Sequence, residues 1–179
     1  MALELSLDIA MANLGWVFFD AGVPTLCGVI RPRLDPKKKL SVREQNVCLI
    51  ECMASEFAAL LRGKLPALVV GEAPTGGARN ASAAIKMNMA LAVVCSVCST
   101  LGTPYHWCSP SDVKKVTVGP LTASKEEIMD WAIARYGGAK RVTHRTSYQF
   151  LGTWHPAGKF EHIADACGAY EATNKSKQS

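Results

Sequence analysis

The first thirty residues of the chain contain three apolar segments with no room for a helix between them. Over residues 3–9, leucines alternate with polar residues, and this two-residue period is typical of a strand. Two further strand-like segments follow, GWVFFD (15–20) and TLCGVIRP (25–32), with the turn-forming sequence AGVP between them. Three strands joined so closely predict an antiparallel meander at the start of the fold.

After residue 40 the pattern changes, and helices alternate with two more strands. Ser41 and Glu44 have the spacing of a capping box, which predicts a helix from Ser41 to about Gly63. The other predicted elements are a buried strand ALVVGEA (67–73), a helix at 81–101, a strand YHWCS (105–109), a short helix from Ser109-Pro110, a helix capped by Ser124, and a last helix FEHIADACGAYEAT (160–173).

This order predicts an α/β fold with a five-stranded mixed sheet flanked by helices on both faces. A doubly wound nucleotide-binding fold is excluded, because the first three strands lack intervening helices. Neither GxGxxG nor GxxxxGK[ST] occurs in the sequence. With 179 residues, the chain is predicted to form one domain (1–173) and a polar C-terminal tail (174–179).

Charge and cysteine content narrow the class of protein further. The net charge of +5 is a mild bias toward polyanionic partners. Seven cysteines are scattered through apolar segments, which indicates reduced thiols in a cytoplasmic protein. Cys95 and Cys98 form a CxxC inside an apolar helical stretch, so we interpret them as core residues rather than a zinc or redox site. We expect no signal peptide and no membrane span.

Three acidic residues and one histidine stand where chemistry is expected. Asp8 ends the first strand, Glu72 ends the buried strand, and the last helix carries His162 and Asp165. Each has an ordinary interpretation when taken alone, such as a turn cap or a polar helix residue. Together they predict a cluster of like charges, which a divalent cation such as Mg²⁺ would stabilise.

The motifs SLDIAMANLGW, LVVGEA, DVKKVTVGPLTASK and HIADA occur in this order along nearly the whole chain. In this the chain resembles the RuvC-like Holliday junction resolvases of the RNase H-like nuclease superfamily, and its short length is similar to that of compact viral members. The third motif is the most specific. It places Lys114 and Lys125 eleven residues apart, with the turn Val118-Gly119 between them.

The resemblance implies an RNase H-like fold and a crossover junction endodeoxyribonuclease that acts as a homodimer on four-way and other branched DNA. Such an enzyme makes paired symmetric nicks and leaves 5′-phosphate and 3′-hydroxyl ends. It would work in the cytoplasm. For a viral protein, this would be the cytoplasm of the host cell. The implied ligands of two Mg²⁺ or Mn²⁺ ions are Asp8, Glu72, His162 and Asp165. The implied lysines near the scissile phosphate are Lys114 and Lys125, with Lys115 as a competitor for the first of them.

The glycine-rich loop after Glu72 and the helix that follows are expected to face DNA. No acidic residue occurs from 73 to 111, whereas Arg79 and Lys86 lie in this stretch, so it is predicted to contact phosphates. The alternative is a neutral packed helix. Some relatives have an aromatic residue where this chain has Thr75, so base stacking at that position is not expected here. Residues 137–159 are predicted to form a basic loop near the substrate.

Three other functions remain possible from the sequence. Another RNase H-like nuclease, such as one that cuts RNA–DNA hybrids, conflicts with the lysine spacing and the HxxD ending. A non-catalytic junction-binding scaffold conflicts with the presence of every matched acid. An actin-like ATP-binding domain would need two lobes and phosphate loops, for which 179 residues are too few.

Overall fold

The N-terminal meander is formed by strands β1 (Leu3–Asp8), β2 (Leu14–Asp20) and β3 (Val23–Ile30), which run antiparallel. The computed structural model describes residues 2–73 and 81–176. The turn between β2 and β3 consists of Ala21 and Gly22 alone, with φ angles of 52° and 82°. Two positive φ angles are typical of the tightest hairpin turns. The predicted four-residue turn is therefore wrong at its second half, which belongs to β3.

The second half of the sheet is parallel. Strand β4 (Leu68–Glu72) lies beside β1, and β5 (Tyr105–Cys108) lies beside β4, which gives the strand order β3-β2-β1-β4-β5. The parallel strands are connected through helices α1 (Val42–Lys64) and α2 (Ala81–Thr100). The predicted five-stranded mixed sheet is confirmed.

Helices cover both faces of the sheet, as predicted. Leu5 and Leu7 of β1 point toward α1 and α2 and pack with residues such as Phe57 and Val94. Residues of opposite parity along the strands face the other layer, since side chains of a strand alternate between faces. That layer consists of α3 (Pro110–Thr117), α4 (Lys125–Tyr136) and α5 (Ala157–Ser176).

The helix starts follow the predicted caps. Ser41, Ser109 and Ser124 each accept a hydrogen bond from the backbone three residues on, and the acidic side chain at that third residue bonds back. These capping boxes satisfy backbone donors that would otherwise have no partner at a helix start. Helix α1 continues one residue past Gly63 and ends in a left-handed Leu65 with a φ of 46°.

The region 137–159 is not the basic loop that the sequence predicted. It contains a second, three-stranded antiparallel sheet of β6 (Ala139–Arg141), β7 (Ser147–Phe150) and β8 (Thr153–Pro156). Tyr148 and Phe150 of this sheet are buried against α5, and His155 is only 4% exposed. Strands of three or four residues are too short to show a two-residue alternation, which explains the wrong prediction.

Helix α5 is longer than predicted and lies closest to the sheet. It begins at Ala157 rather than at residue 160 and continues to Ser176, so residues 174–176 of the predicted tail are helical. Ser6 Oγ donates a 2.6 Å hydrogen bond to the carbonyl oxygen of Ala166. A Cβ atom at Gly15 would overlap the backbone carbonyl of His162. Small residues at the interface therefore allow α5 to contact the strand backbones directly.

Helix α2 is the most apolar helix on the opposite face. Within the described residues it is the one helix whose length and composition would allow it to cross a membrane, with a mean hydropathy of 1.6. A single such helix is weak support for a membrane span, because core helices of soluble proteins have the same composition. Cys98 of its CxxC is buried in the core beside α1, and Cys95 is half-buried.

Candidate active site

Two of the predicted site residues end adjacent parallel strands. Asp8 is the last residue of β1 and Glu72 is the last residue of β4, and the two are direct partners in the strand register. Parallel strands lie about 4.8 Å apart, and paired residues point to the same face of the sheet. Both carboxylates therefore lie at one edge of the sheet, on the face that α5 covers.

Helix α5 brings the other two predicted ligands to the same edge. The Nδ1 atom of His162 lies 2.6 Å from Oδ2 of Asp8, and each of these side chains is 16% exposed. Asp165 follows one turn later on the helix. Because Ser6 and Gly15 hold α5 against β1 and β2, the positions of both residues are set by backbone contacts.

A pocket of about 160 Å³, here called the acid pocket, lies between this edge and the helices α3 and α4. Its charged lining combines two carboxylates with two lysines. The lining residues are Glu72, Pro110, Lys114, Ala123, Lys125, Ile128 and Asp165. The structure thus brings together the buried acids and both lysines of the predicted eleven-residue spacing.

The acids in this pocket hold their protons more tightly than usual. The pKa of Glu72 is raised to about 7, first by burial and then by the nearby Asp8 carboxylate, whereas Lys114 acts in the opposite direction. The pKa of Asp165 is raised well above its ordinary value, first by burial and then by the charges of Asp8 and Glu72. Three carboxylates therefore interact with one another in a poorly solvated place, which is common at functional sites.

The two lysines of the acid pocket are held differently. The ammonium of Lys114 donates a 2.9 Å hydrogen bond to the carbonyl oxygen of Leu121, in the α3–α4 connection. Lys125, the first residue of α4, donates to Glu161 of α5 and forms an ion pair with it. The hydrogen bond to Glu161 is the main cause of the raised pKa of Lys125, with smaller contributions from Glu161, Asp165 and Asp8 charges.

Glu161 is a residue of this site that sequence reasoning missed. Its carboxylate also raises the pKa of Asp165, so it lies close enough to act on the pocket. The only signal in the sequence is its position directly before His162, and an acid near the start of a helix is too common to indicate a role.

The remaining predicted DNA-binding residues lie outside the acid pocket. Lys115 is exposed, lies 3.9 Å from Asp112 and does not line the pocket, whereas Lys114 does. Lys86 is exposed on α2. Arg79 and Thr75 lie outside the described residues. The proposed phosphate contacts of the stretch 73–111 stay a prediction.

The donor set fits a divalent cation by its chemistry. Asp8, Glu72 and Asp165 supply carboxylate oxygens, which Mg²⁺ and Mn²⁺ prefer, and a cation would relieve the repulsion that raises the pKa of two of these acids. His162 adds an imidazole donor. Over residues 2–73 and 81–176, no group of three His, Cys, Asp or Glu side chains has the arrangement of a metal centre.

Comparisons with known proteins agree on the fold. No protein-family model and no curated protein sequence matches the chain. Among solved structures, Thermus thermophilus RuvC in complex with a Holliday junction substrate is similar at a TM-score of 0.68 and 18% identity, covering 98% of this chain and 97% of that one. A second T. thermophilus RuvC structure is similar at 0.66 and 18% identity, covering 98% and 95%.

A more distant likeness extends to a eukaryotic protein. The yeast mitochondrial Holliday junction resolvase Ydc2 is similar at a TM-score of 0.57 and 14% identity, covering 98% of this chain and 80% of that one. The coverage includes the sheet, the flanking helices and the edge that carries Asp8 and Glu72. The chain therefore has an α/β fold similar to that of RuvC over nearly its whole length.

Proposed function

We propose that this protein is a metal-dependent, structure-selective endodeoxyribonuclease that resolves four-way and other branched DNA junctions by paired symmetric nicks. The observation that carries the proposal is the acid pocket, in which acids with raised pKa values meet two lysines at one edge of the sheet. The likeness to two solved structures supports the same function, since RuvC is in complex with a Holliday junction substrate and Ydc2 is a Holliday junction resolvase by name.

Asp8, Glu72, His162 and Asp165 would hold the Mg²⁺ or Mn²⁺ ions, two in each active site. The ions would supply an activated water and offset negative charge on the leaving oxygen. The chain's own contribution is to keep the carboxylates on adjacent strand ends and on α5, where the apolar surroundings strengthen their interaction with cations.

Lys114 and Lys125 would stabilise the negative charge that develops on the phosphoryl oxygens during attack. Lys114 is held by the Leu121 carbonyl and points into the pocket, which orients it before substrate binds. Lys125 is held by Glu161, so a phosphate that enters the pocket would compete with Glu161 for this ammonium. Cleavage would leave a 5′-phosphate and a 3′-hydroxyl.

We also propose that the protein acts as a homodimer, because two symmetric nicks need two active sites related by a twofold axis. Helix α2 supports this, since only 22% of its apolar stretch is buried within the chain. Ile85 of this helix is 54% exposed. The apolar face would be buried between two copies rather than in a membrane.

The test is nicking of a synthetic four-way junction, compared with a linear duplex of the same sequences, in Mg²⁺ or Mn²⁺. Wild type should make symmetric nicks in the junction, and Asp8→Asn should make none. Tight binding without cutting by wild type would favour a non-catalytic scaffold. Equal cutting of junction and duplex, or preferential cutting of an RNA–DNA hybrid, would indicate another nuclease of this fold.

A further inference from the structure

A second charged cavity, here called the basic cleft, lies beside the edge strand β3. Its volume is about 440 Å³, and it is lined by Val29, Arg31, Arg33, Cys52, Glu56 and Lys159. Three elements meet there. The chain leaving β3 supplies the two arginines, α1 supplies the cysteine and the glutamate, and the first turn of α5 supplies the lysine.

The cations of the basic cleft are not neutralised by protein. Within the described residues, Arg31, Arg33 and Lys159 have no carboxylate within 4 Å. The one acid of the lining, Glu56, accepts a 3.2 Å hydrogen bond from the Cys52 thiol. Three cations against one carboxylate leave the cleft with a positive charge that suits an anion.

One arginine of the basic cleft is held in place by a hydrogen bond. A guanidinium nitrogen of Arg31 donates a 3.3 Å hydrogen bond to the carbonyl oxygen of Gly158, which ties the arginine to the start of α5. The remaining guanidinium donors of Arg31 and those of Arg33 stay exposed to solvent. Arginines with free donors are well suited to bidentate binding of a phosphate group.

The strand register places this cleft beside the acid pocket. Asp8 pairs with Gly15 of β2, and Gly15 pairs with Val29 of β3, so the three residues form one row across the sheet. Two strand spacings separate Asp8 from Val29, which is about 10 Å. The cleft and the carboxylates are therefore close enough to contact neighbouring parts of one DNA strand.

We propose that the basic cleft binds a backbone phosphate of the DNA substrate, close to the bond that is cut. The inference rests on the proposed nuclease function and adds a second contact point on the substrate. Two fixed points on one strand set the register of the scissile phosphate over the acid pocket.

Binding of a fluorescent four-way junction in EDTA, over a series of salt concentrations, tests the proposal. The double variant Arg31→Gln/Arg33→Gln should raise Kd at least about 10-fold and lower the salt slope by about 2. The matched control is Lys38→Gln/Lys39→Gln, which removes the same charge from the same connection outside the cleft. Its Kd should change by less than about 3-fold. Arg31→Lys/Arg33→Lys should give a Kd between those of wild type and Arg31→Gln/Arg33→Gln, because the charge remains but the bidentate donors are lost.

The phosphate that contacts the basic cleft is located by replacing single DNA phosphates near the cleavage site with a neutral methylphosphonate. At the correct position it should weaken binding by wild type and leave the affinity of Arg31→Gln/Arg33→Gln nearly unchanged, since the two changes remove the same interaction. Equal effects of the cleft and control variants, or additive effects at every methylphosphonate position, would overturn the proposal. Circular dichroism and thermal unfolding check that each variant is folded.

The same assay separates this inference from the proposed function. If wild type binds and cuts junctions while cleft and control variants behave alike, only the cleft assignment is wrong. If wild type binds through the cleft but never cuts, the nuclease function is wrong and the phosphate site stands. If wild type binds no branched DNA, both are wrong.

Discussion

The acid pocket and the basic cleft lie along one row of the sheet, and helix α5 contributes to both. They differ in burial and in how their charges are balanced. In the acid pocket, buried carboxylates crowd together and two lysines stand at the wall. In the basic cleft, exposed arginines surround an open cavity without an ion-pair partner in the described part of the chain.

Because the two regions differ in burial, they suit different chemistry. Burial strengthens electrostatic interactions and makes charges costly, which serves a reaction centre that must bind cations and offset developing charge. Exposed arginines stay solvated and have no desolvation penalty within the folded protein. This suits reversible, salt-dependent binding of phosphates. Variants of the two regions should therefore separate cleavage from affinity.

Asp165→Asn should produce the largest separation. Removing this buried carboxylate should lower the single-turnover cleavage rate about 10³-fold or more, because Asp165 is a proposed metal ligand and a metal ion would contribute several kcal/mol to the transition state. Junction affinity in EDTA should stay the same or rise, since a negative charge is lost near DNA. The measurement pairs single-turnover nicking with a binding titration. Loss of binding equal to the loss of cutting would contradict the division between the two regions.

Gly15→Ala tests the backbone contact that holds α5 in place between the two regions. The new methyl group would overlap the His162 carbonyl, so α5 would have to move away from β2. We expect a loss of about 2–4 kcal/mol in the free energy of unfolding, measured by urea titration. Gly63→Ala is the control, because a Cβ there meets no neighbour and lies in a helix, where alanine stabilises. Equal stabilities of the two variants would refute the close contact.

Lys125→Gln and Glu161→Gln separate a charge from the group that positions it. Lys125→Gln should lower the cleavage rate about 10²-fold, as does loss of other donors that stabilise transition states. Glu161→Gln keeps the ammonium and removes its partner, so the loss should be at most about 10-fold. The rates are measured at saturating protein. A greater loss in Glu161→Gln than in Lys125→Gln would mean that Glu161 acts on substrate or metal directly.

Glu72 gives the smallest expected effect, a pH dependence of stability. Because burial raises its folded-state pKa from the ordinary 4.5 to about 7, the folded protein keeps a proton that the unfolded chain releases between these values. This contribution to stability is fully present below pH 4.5 and is lost as the pH rises through 7. Between pH 5 and pH 8 in EDTA, wild type should lose about 1–3 kcal/mol more stability than Glu72→Gln.

Urea unfolding at both pH values measures this difference directly. Adding Mg²⁺ at pH 8 should restore part of the lost stability in wild type and less in Glu72→Gln, since a cation that binds only the folded state stabilises it. Parallel pH profiles of the two proteins would show that Glu72 has an ordinary pKa in the folded state.

Sequence patterns were sufficient for the order of the five strands of the main sheet and the helices between them, and for most residues of the acid pocket. The two-residue alternation of β1, the capping boxes at Ser41, Ser109 and Ser124, and the spacing of Lys114 and Lys125 are local features. Local features depend on backbone geometry and side-chain chemistry within a few residues, so they can be predicted from the amino-acid sequence. The prediction that Asp8 and Glu72 would meet followed from their positions at strand ends.

Other features depended on contacts between distant segments. The three-stranded sheet of β6, β7 and β8 is stabilised by burial against α5, and its strands are too short to have a signal of their own. The choice between Lys114 and Lys115 depended on which way α3 faces the pocket. The partner of Lys125, Glu161, is 36 residues away along the chain.

The basic cleft illustrates the same limit. Arg31, Arg33 and Lys159 are ordinary surface cations in the sequence, and nothing in their spacing links the first two to the third. Only the antiparallel register of β1, β2 and β3 and the docking of α5 bring them to one cavity beside the carboxylates. From the sequence one can predict the main-sheet strands, the helices and the residue types at their ends. Tertiary structure decided which charges become neighbours, because that depends on strand register and helix packing.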